Sequence, residues 1–100
     1  MNLKLRISPA AEVDAEEASD YYSIESPGLD RLFIAEIHRT LARIVVTPLA
    51  FPVIFGSEIR SVQVDRFPFS ILFSLRKDHV WVFSVFHNSR NPMIWRGRID

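Results

Sequence analysis

The sequence predicts an α+β fold: an N-terminal strand, a two-helix hairpin, then a three-stranded antiparallel meander, in the order β-α-α-β-β-β. Three observations predict it. Residues 3–7 alternate apolar and basic side chains at the period of a strand. Residues 9–46 hold two runs of apolar side chains at helical spacing, each opened by a Ser-Pro pair. Residues 59–87 return to short apolar runs separated by turn signals. At 100 residues the chain has the length of one domain and is too short for two cores, so the domain is read as residues 1–100.

The first strand rests on Leu3, Leu5 and Ile7 alternating with Lys4 and Arg6. The strand-like stretch Met1 to Ser8 runs straight into acidic residues, which is not the pattern of a signal peptide. Ser8-Pro9 starts a helix. A serine at the cap accepts a hydrogen bond from the first turn, and proline at the first helical position lacks only an N–H that has no partner there. The acids that follow suit the positive end of the helix dipole. Ala11, Ala15, Ala18 and Tyr22 share one face, which places this helix from about Pro9 to Ile24.

Ser26-Pro27 repeats the start signal for a second helix. There Leu29, Phe33, Ile37, Leu41, Ile44 and Val45 recur at helical spacing, with Arg31, Arg39 and Arg43 on the opposite side. Thr47-Pro48 ends it, because the residue before proline is pushed out of the helical region. Helices joined by so short a turn pack back to back. Residues 49–58 form a connector without a clear period. Strands follow at Ile59 to Arg66, Phe69 to Leu75 and Val80 to His87, with turns at Phe67-Pro68 and Lys77-Asp78. The tail from Asn88 to Asp100 holds Pro92, Trp95 and three arginines, and its structure stays open.

Antiparallel sheets with one wet face alternate cleanly. These strands do not. Phe69, Ile71, Phe73 and Leu75 share one parity with Leu72 on the other, and Val80, Val82 and Phe86 oppose Trp81, Phe83 and Val85. A two-helix hairpin covers one face only. The second face must be covered by residues 49–58 and 88–97, by a second copy, or by a partner. Patterning alone leaves these three open.

Composition narrows the class. The chain is 48% hydrophobic and 24% charged, which excludes disorder. It has no cysteine, which excludes disulfides and thiolate chemistry and suits a reducing compartment. No apolar stretch approaches the roughly 20 residues that span a bilayer. A soluble, cytoplasmic protein is expected. No metal-ligand spacing, phosphate loop or nucleophile elbow is present, so no metal or cofactor is expected. Net charge is zero but uneven: residues 1–50 carry five basic and eight acidic side chains (−3), residues 51–100 seven and four (+3).

Several strings recur in a familiar order. They are Ser8-Pro9-Ala10-Ala11 with an acidic first helix ending in Asp20-Tyr21-Tyr22, then Ser26-Pro27-Gly28-Leu29, Pro48 and Phe51-Pro52. Ile59-Arg60-Ser61-Val62, Arg66-Phe67-Pro68-Phe69 and His87-Asn88-Ser89-Arg90-Asn91-Pro92 with Trp95 follow. With the element order, this resembles the RelE/ParE toxin superfamily of type II toxin–antitoxin systems, closer to the ParE branch. Phe69 and Phe73 stand where many relatives place tyrosine. The resemblance implies a growth-arresting toxin that acts on DNA gyrase. It also implies a cognate antitoxin, whose extended or helical segment wraps the toxin in a hetero- or homo-oligomeric complex. Such a segment would meet Phe69, Phe73, Trp81, Phe83 and Trp95, while Arg76 and Arg90 would face its acidic residues.

The RelE branch implies a different chemistry, cleavage of ribosome-bound mRNA. His87 would then move protons, Arg60, Arg66 and Arg90 would hold phosphate, and Trp95 would stack on a base. Structural readings of the same residues stand beside this. His87 at a strand end would hydrogen-bond a turn, Arg60 or Arg66 would pair with Glu12 or Asp14, Arg90 would fix the tail, and Trp95 would anchor a core. His38 and His79 look incidental. With pI ≈ 6.8 and only Lys4 and Lys77 as lysines, little charge is on offer to RNA phosphate. That favours a non-enzymatic toxin. A non-toxic binding or dimerisation module of the same fold is the third reading.

Overall fold

The computed structural model describes residues 3–99. Met1 and Asn2 of the strand-like N-terminal stretch, and Asp100 of the tail, lie outside the described residues. Strand β1 (Lys4–Ile7) leads into helix α1 (Pro9–Glu25). The cap is the one the sequence predicts: the Ser8 hydroxyl oxygen accepts from the Ala11 N–H at 3.0 Å, with Pro9 at the head of the helix.

The second start signal is corrected. Helix α2 runs Leu29–Val46, and Ser26 instead closes α1, its N–H donating to the Tyr22 carbonyl at 3.1 Å. Gly28, at φ 87°, reverses the chain through the left-handed region that glycine enters without strain. Reversal between antiparallel helices uses up the Ser-Pro pair, which therefore lies in the turn. Thr47 ends α2 as predicted, and a 3-10 turn follows at Pro48–Ala50.

The remaining elements are β2 (Val53–Phe55), β3 (Ile59–Gln63), β4 (Phe69–Leu75), β5 (His79–His87) and a short helix α3 (Met93–Arg96). They form one five-stranded sheet in the order β1-β5-β4-β3-β2. β1 is parallel to β5, and all other pairs are antiparallel. The α+β architecture and the meander are as predicted, with one edge strand added inside the connector. β2 is too short to show a period, and it pairs with β3 across a register shift. β3 stops at Gln63 rather than Arg66, because Arg66 itself adopts φ 69° in the turn to β4.

On one face of the sheet, Ala11 and Ala18 of α1 and Phe33, Ile37 and Ile44 of α2 close on Val62, Ile71, Phe73, Val80 and Val82. Tyr22, Phe33, Phe67 and Phe69 interlock there, with ring centroids 5.0–6.3 Å apart. Each large side chain buried in this way contributes about 1.5–3 kcal/mol.

The failure of β5 to alternate has a geometric cause. Phe73 pairs with Val82 but Leu72 pairs with Ser84, which leaves Phe83 as the extra residue of a β-bulge. The bulge inverts parity. Val80 and Val82 before it and Val85 after it join the helix-side core, while Phe86 turns to the other face. That second face holds Ile59, Leu72, Phe83 and Phe86 under Trp95, which is 5% exposed, with Trp81 and Ile99 at the margin. The tail thus covers it. The Phe55 ring of β2 lies 5.8 Å from Trp95, and the Arg96 guanidinium sits over Phe55 at 4.9 Å. Of the three covers that patterning leaves open, the chain itself supplies this one, because α3 folds back across the strands. Among the described residues, no helix is long and apolar enough to cross a membrane.

Candidate functional site

The parallel pairing of β1 with β5 ends at Val82, and the last main-chain bond runs from the Ser8 N–H to the Val82 carbonyl at 2.9 Å. Beyond it α1 turns away, and among the described residues the outer edge of β5 has no neighbouring strand. Side chains complete the edge instead. The Val85 N–H donates to the Asp14 carboxylate at 3.0 Å. Arg98 donates to the two oxygens of that carboxylate at 2.6 and 3.0 Å, and to the Phe83 carbonyl at 3.2 Å. Groups freed by the bulge are thereby satisfied without a strand. The Asp14 hydrogen bond is the main cause that holds the Arg98 guanidinium above its usual pKa, against the opposing effect of burial.

The arginine paired with Asp14 is therefore Arg98, and neither Arg60 nor Arg66. The tail reaches α1 around the free edge of β5, a route that chain order does not reveal. One signal was available: position 14 lies on the apolar stripe of α1 between Ala11 and Ala18, where a lone carboxylate needs a partner.

Beside this clasp a groove of ≈ 370 Å³ opens between α1 and the end of β5. Asp14 and Glu17 line it with His87 and Arg90, together with Tyr21, Tyr22 and Phe69. Both tyrosine pKa values lie above the ordinary phenol value, Tyr21 chiefly through its hydrogen bond with Glu25 and Tyr22 through burial. Both hydroxyls therefore stay protonated at neutral pH. The His87 Nδ1 accepts from the Ser89 N–H at 3.2 Å and lies 2.8 Å from the Ser89 hydroxyl, while the ring stands edge-on to Phe69 at 5.0 Å. The Arg90 N–H donates to the His87 carbonyl at 3.0 Å and closes the turn.

The histidine and three arginines named for RNA cleavage do not share one groove. Arg60 donates to the Phe51 carbonyl at 2.6 Å and ties the connector to β3. Arg66 lines a separate groove of ≈ 200 Å³ along α2, with Leu32, Glu36 and Arg39. Only His87 and Arg90 come together. The residues named for partner contact are also dispersed. Phe69 and Arg90 line the α1 groove, Phe73 is sealed in the helix-side core, and Phe83 and Trp95 are buried on the opposite face beside Trp81. Arg76 donates to the Ser74 hydroxyl at 3.1 Å near the β4–β5 turn. His38 lines a crevice between the helices with Glu12 and Glu16. Among the described residues, no group of three or more His, Asp or Glu side chains could hold a metal ion. Glu17, Tyr21 and Tyr22, which the site reading left out, enter because α1 lies along the open end of β5.

The model of the ParE toxin of the type II toxin-antitoxin system, parDE, matches residues 5–92, which take in β1 from its second residue, the other four strands and both long helices. Among solved structures, the fold is similar to a chromosomal ParDE TA system from P. aeruginosa, with TM-score 0.76 and 15% identity over 86% of this chain and 96% of that one. It is also similar to the YoeB dimer from Staphylococcus aureus, with TM-score 0.59 and 13% identity over 85% and 95%. At such identities the likeness is one of fold. No curated protein sequence matches the chain. The family match extends from β1 through the His87–Arg90 turn, and the chain belongs to the ParE toxin family of type II toxin–antitoxin systems.

Proposed function

We propose that the protein arrests growth by binding DNA gyrase in the cytoplasm, without a cofactor and without cleaving RNA, and that a cognate antitoxin neutralises it. One observation carries the choice of binding over cleavage. Attack by a 2′-hydroxyl needs a base, an acid and a phosphate-neutralising group around one phosphate. Here Arg60 is spent on the Phe51 carbonyl, Arg66 lines a different groove, and His87 Nδ1 is engaged by Ser89. The α1 groove suits recognition instead. Its carboxylates, the Arg90 guanidinium and its phenol hydroxyls match a protein segment that carries both signs of charge and an aromatic or aliphatic anchor.

For the antitoxin, the sheet offers a second place. β2 is a terminal strand whose Val53, Ile54 and Phe55 are all exposed, so an extended segment would extend the sheet there through main-chain hydrogen bonds. The experiment combines a supercoiling assay on purified gyrase with mapping of RNA ends after induction. Inhibited supercoiling with intact RNA, relieved by the product of an adjacent small reading frame, is the expected result. RNA cleavage that disappears in His87→Ala would replace this reading with the nuclease. Absence of growth arrest would leave a non-toxic module.

A further inference from the structure

We propose that the tail-side face of the sheet binds single-stranded nucleic acid at the end where β1, β5 and the β4–β5 turn meet. A base stacks on Trp81 there, and phosphates are held by Lys4, Arg6 and Arg76. This goes beyond the toxin reading and does not depend on it.

Parity and register assemble the surface. Leu5 lines a crevice with Leu41 and Val45 of α2, and Leu3 and Ile7 pack on the helix-side core. Lys4 and Arg6 alternate with them and are exposed on the opposite face. The pairing of β1 with β5 sets Lys4 beside His79 and Arg6 beside Trp81. On the other side of β5, Trp81 pairs with Ser74 of β4. The Arg76 Nε donates to the Ser74 hydroxyl at 3.1 Å, which draws that guanidinium back towards this face. Trp81 therefore lies between cations from β1 on one side and from the end of β4 on the other, at strand spacings of about 4.8 Å.

The cations are unspent. Among the described residues, no ion pair joins Lys4, Arg6, Arg76 or Lys77 to a carboxylate. Asp78 and Glu58, the latter beside the first residue of β3, stand against these four. Asp78 is 2.8 Å from the His79 Nδ1, and that hydrogen bond is the main cause that holds its carboxyl below the ordinary pKa, with Arg6 the smallest cause. The neighbouring apolar residues Ile59, Leu72, Phe83 and Phe86 lie under Trp95. What stays open is a half-buried indole among cations. Any base stacks on such a ring, while guanidinium and ammonium groups neutralise phosphates. An acidic protein segment would satisfy the cations, but its apolar anchor would find the surface already covered.

This surface is separate from the α1 groove. That groove is lined by α1, Phe69 and Val85 on the helix side of the sheet, and Trp81 stands roughly 20 Å along β5 from His87 at about 3.3 Å per residue. Charge sets the strength. On single strands the logarithm of the binding constant falls with that of salt by about 0.7 per neutralised phosphate, so Lys4, Arg6, Arg76 and Lys77 together give a slope of about −3. Binding is therefore weak at physiological salt and grows as salt is lowered.

Titration of the full chain with oligothymidylate and with oligouridylate, followed by tryptophan fluorescence, tests this. Trp95 is 5% exposed, so a change on binding reports Trp81. Quenching at low salt with a slope near −3 against salt is expected, and the tighter of the two ligands tells DNA from RNA. Arg6→Glu and Arg76→Glu, both at exposed side chains, should each weaken binding at least about tenfold and flatten the slope by about 0.7. Arg31→Glu makes the same charge change at an exposed side chain of α2 and should leave binding as it is. Melting temperatures near that of the parent show that the variants stay folded. Absence of quenching at low salt, or an equal loss in Arg31→Glu, would overturn the proposal. So would displacement of the oligonucleotide by an equal concentration of polyglutamate or of duplex DNA, since neither offers a free base to the ring.

Discussion

Arg98 and Asp14 stand 84 residues apart in the chain, yet they form a two-point guanidinium–carboxylate clasp at 2.6 and 3.0 Å across the open edge of β5. Three parts of the fold meet there: the tail, the first helix and the bulge at Phe83. The clasp stops the last strand from presenting bare N–H and C=O groups, and it holds the tail over the second face of the sheet.

Breaking the clasp from either side should destabilise the fold. Arg98→Ala leaves a carboxylate that is 14% exposed with the Val85 N–H as its remaining partner. The cost is about 2 kcal/mol, below that of a fully buried pair because Arg98 is 26% exposed. Asp14→Asn should cost a similar amount, and the double variant less than the sum. Urea unfolding measures all three, and additive effects would show that the residues act separately.

The pH dependence follows from the sign of the Arg98 shift. Its folded pKa lies above the ordinary guanidinium value, so its contribution is fully present below that value and is lost only as pH rises through the raised one. Arg98 therefore adds no slope to stability between about pH 5 and 9. Stability curves of parent and Arg98→Ala should run parallel over that window.

Trp95→Ala should uncover Leu72, Phe83 and Phe86. Truncation of a buried tryptophan costs about 3–5 kcal/mol, a large share of the stability of a domain this small. A rise in binding of a hydrophobic dye should accompany the loss. Unchanged dye binding would mean that the tail is not the cover.

Two backbone devices give smaller effects. Ser8→Ala removes the cap of α1, at about 1 kcal/mol. Gly28→Ala should cost about 1–2 kcal/mol through the left-handed backbone alone, since an added Cβ would meet only the Arg31 Nη2, at 3.6 Å. Gly28→Asn should recover part of that loss. Thermal melts resolve both, at roughly 4–8 °C per kcal/mol for a chain of this length.

On the proposed function, Arg90→Glu and Tyr21→Ala should weaken growth arrest without lowering the melting temperature, because both side chains are exposed at the groove. His87→Gln should keep most of the arrest, since no proton transfer is asked of it. Plate assays under titrated induction decide this, and loss of arrest in His87→Gln alone would favour cleavage.

Much of the fold is legible locally. Ser8-Pro9 marks a helix start because cap and proline act within one turn, and Thr47-Pro48 marks an end for the same reason. Ser26-Pro27 misleads, since the identical pair serves a turn once Gly28 reverses the chain. β2 escapes notice because three residues paired across a register shift carry no period. The site is less legible than the fold. His87 and Arg90 are near neighbours in sequence and do share a groove, whereas Glu17 and Tyr21 join them only through the packing of α1.

The order of strands and helices, the alternation of β1 and the apolar stripe of α2 follow from the sequence alone, because periodicity and caps act over a few residues. Which arginine meets Asp14, what covers the second face and where β5 changes parity were decided by tertiary structure. Each depends on an exposed strand edge, a bulge and a returning tail, which join residues tens of positions apart. Local chemistry states what each residue needs, and only the folded chain determines which distant group supplies it.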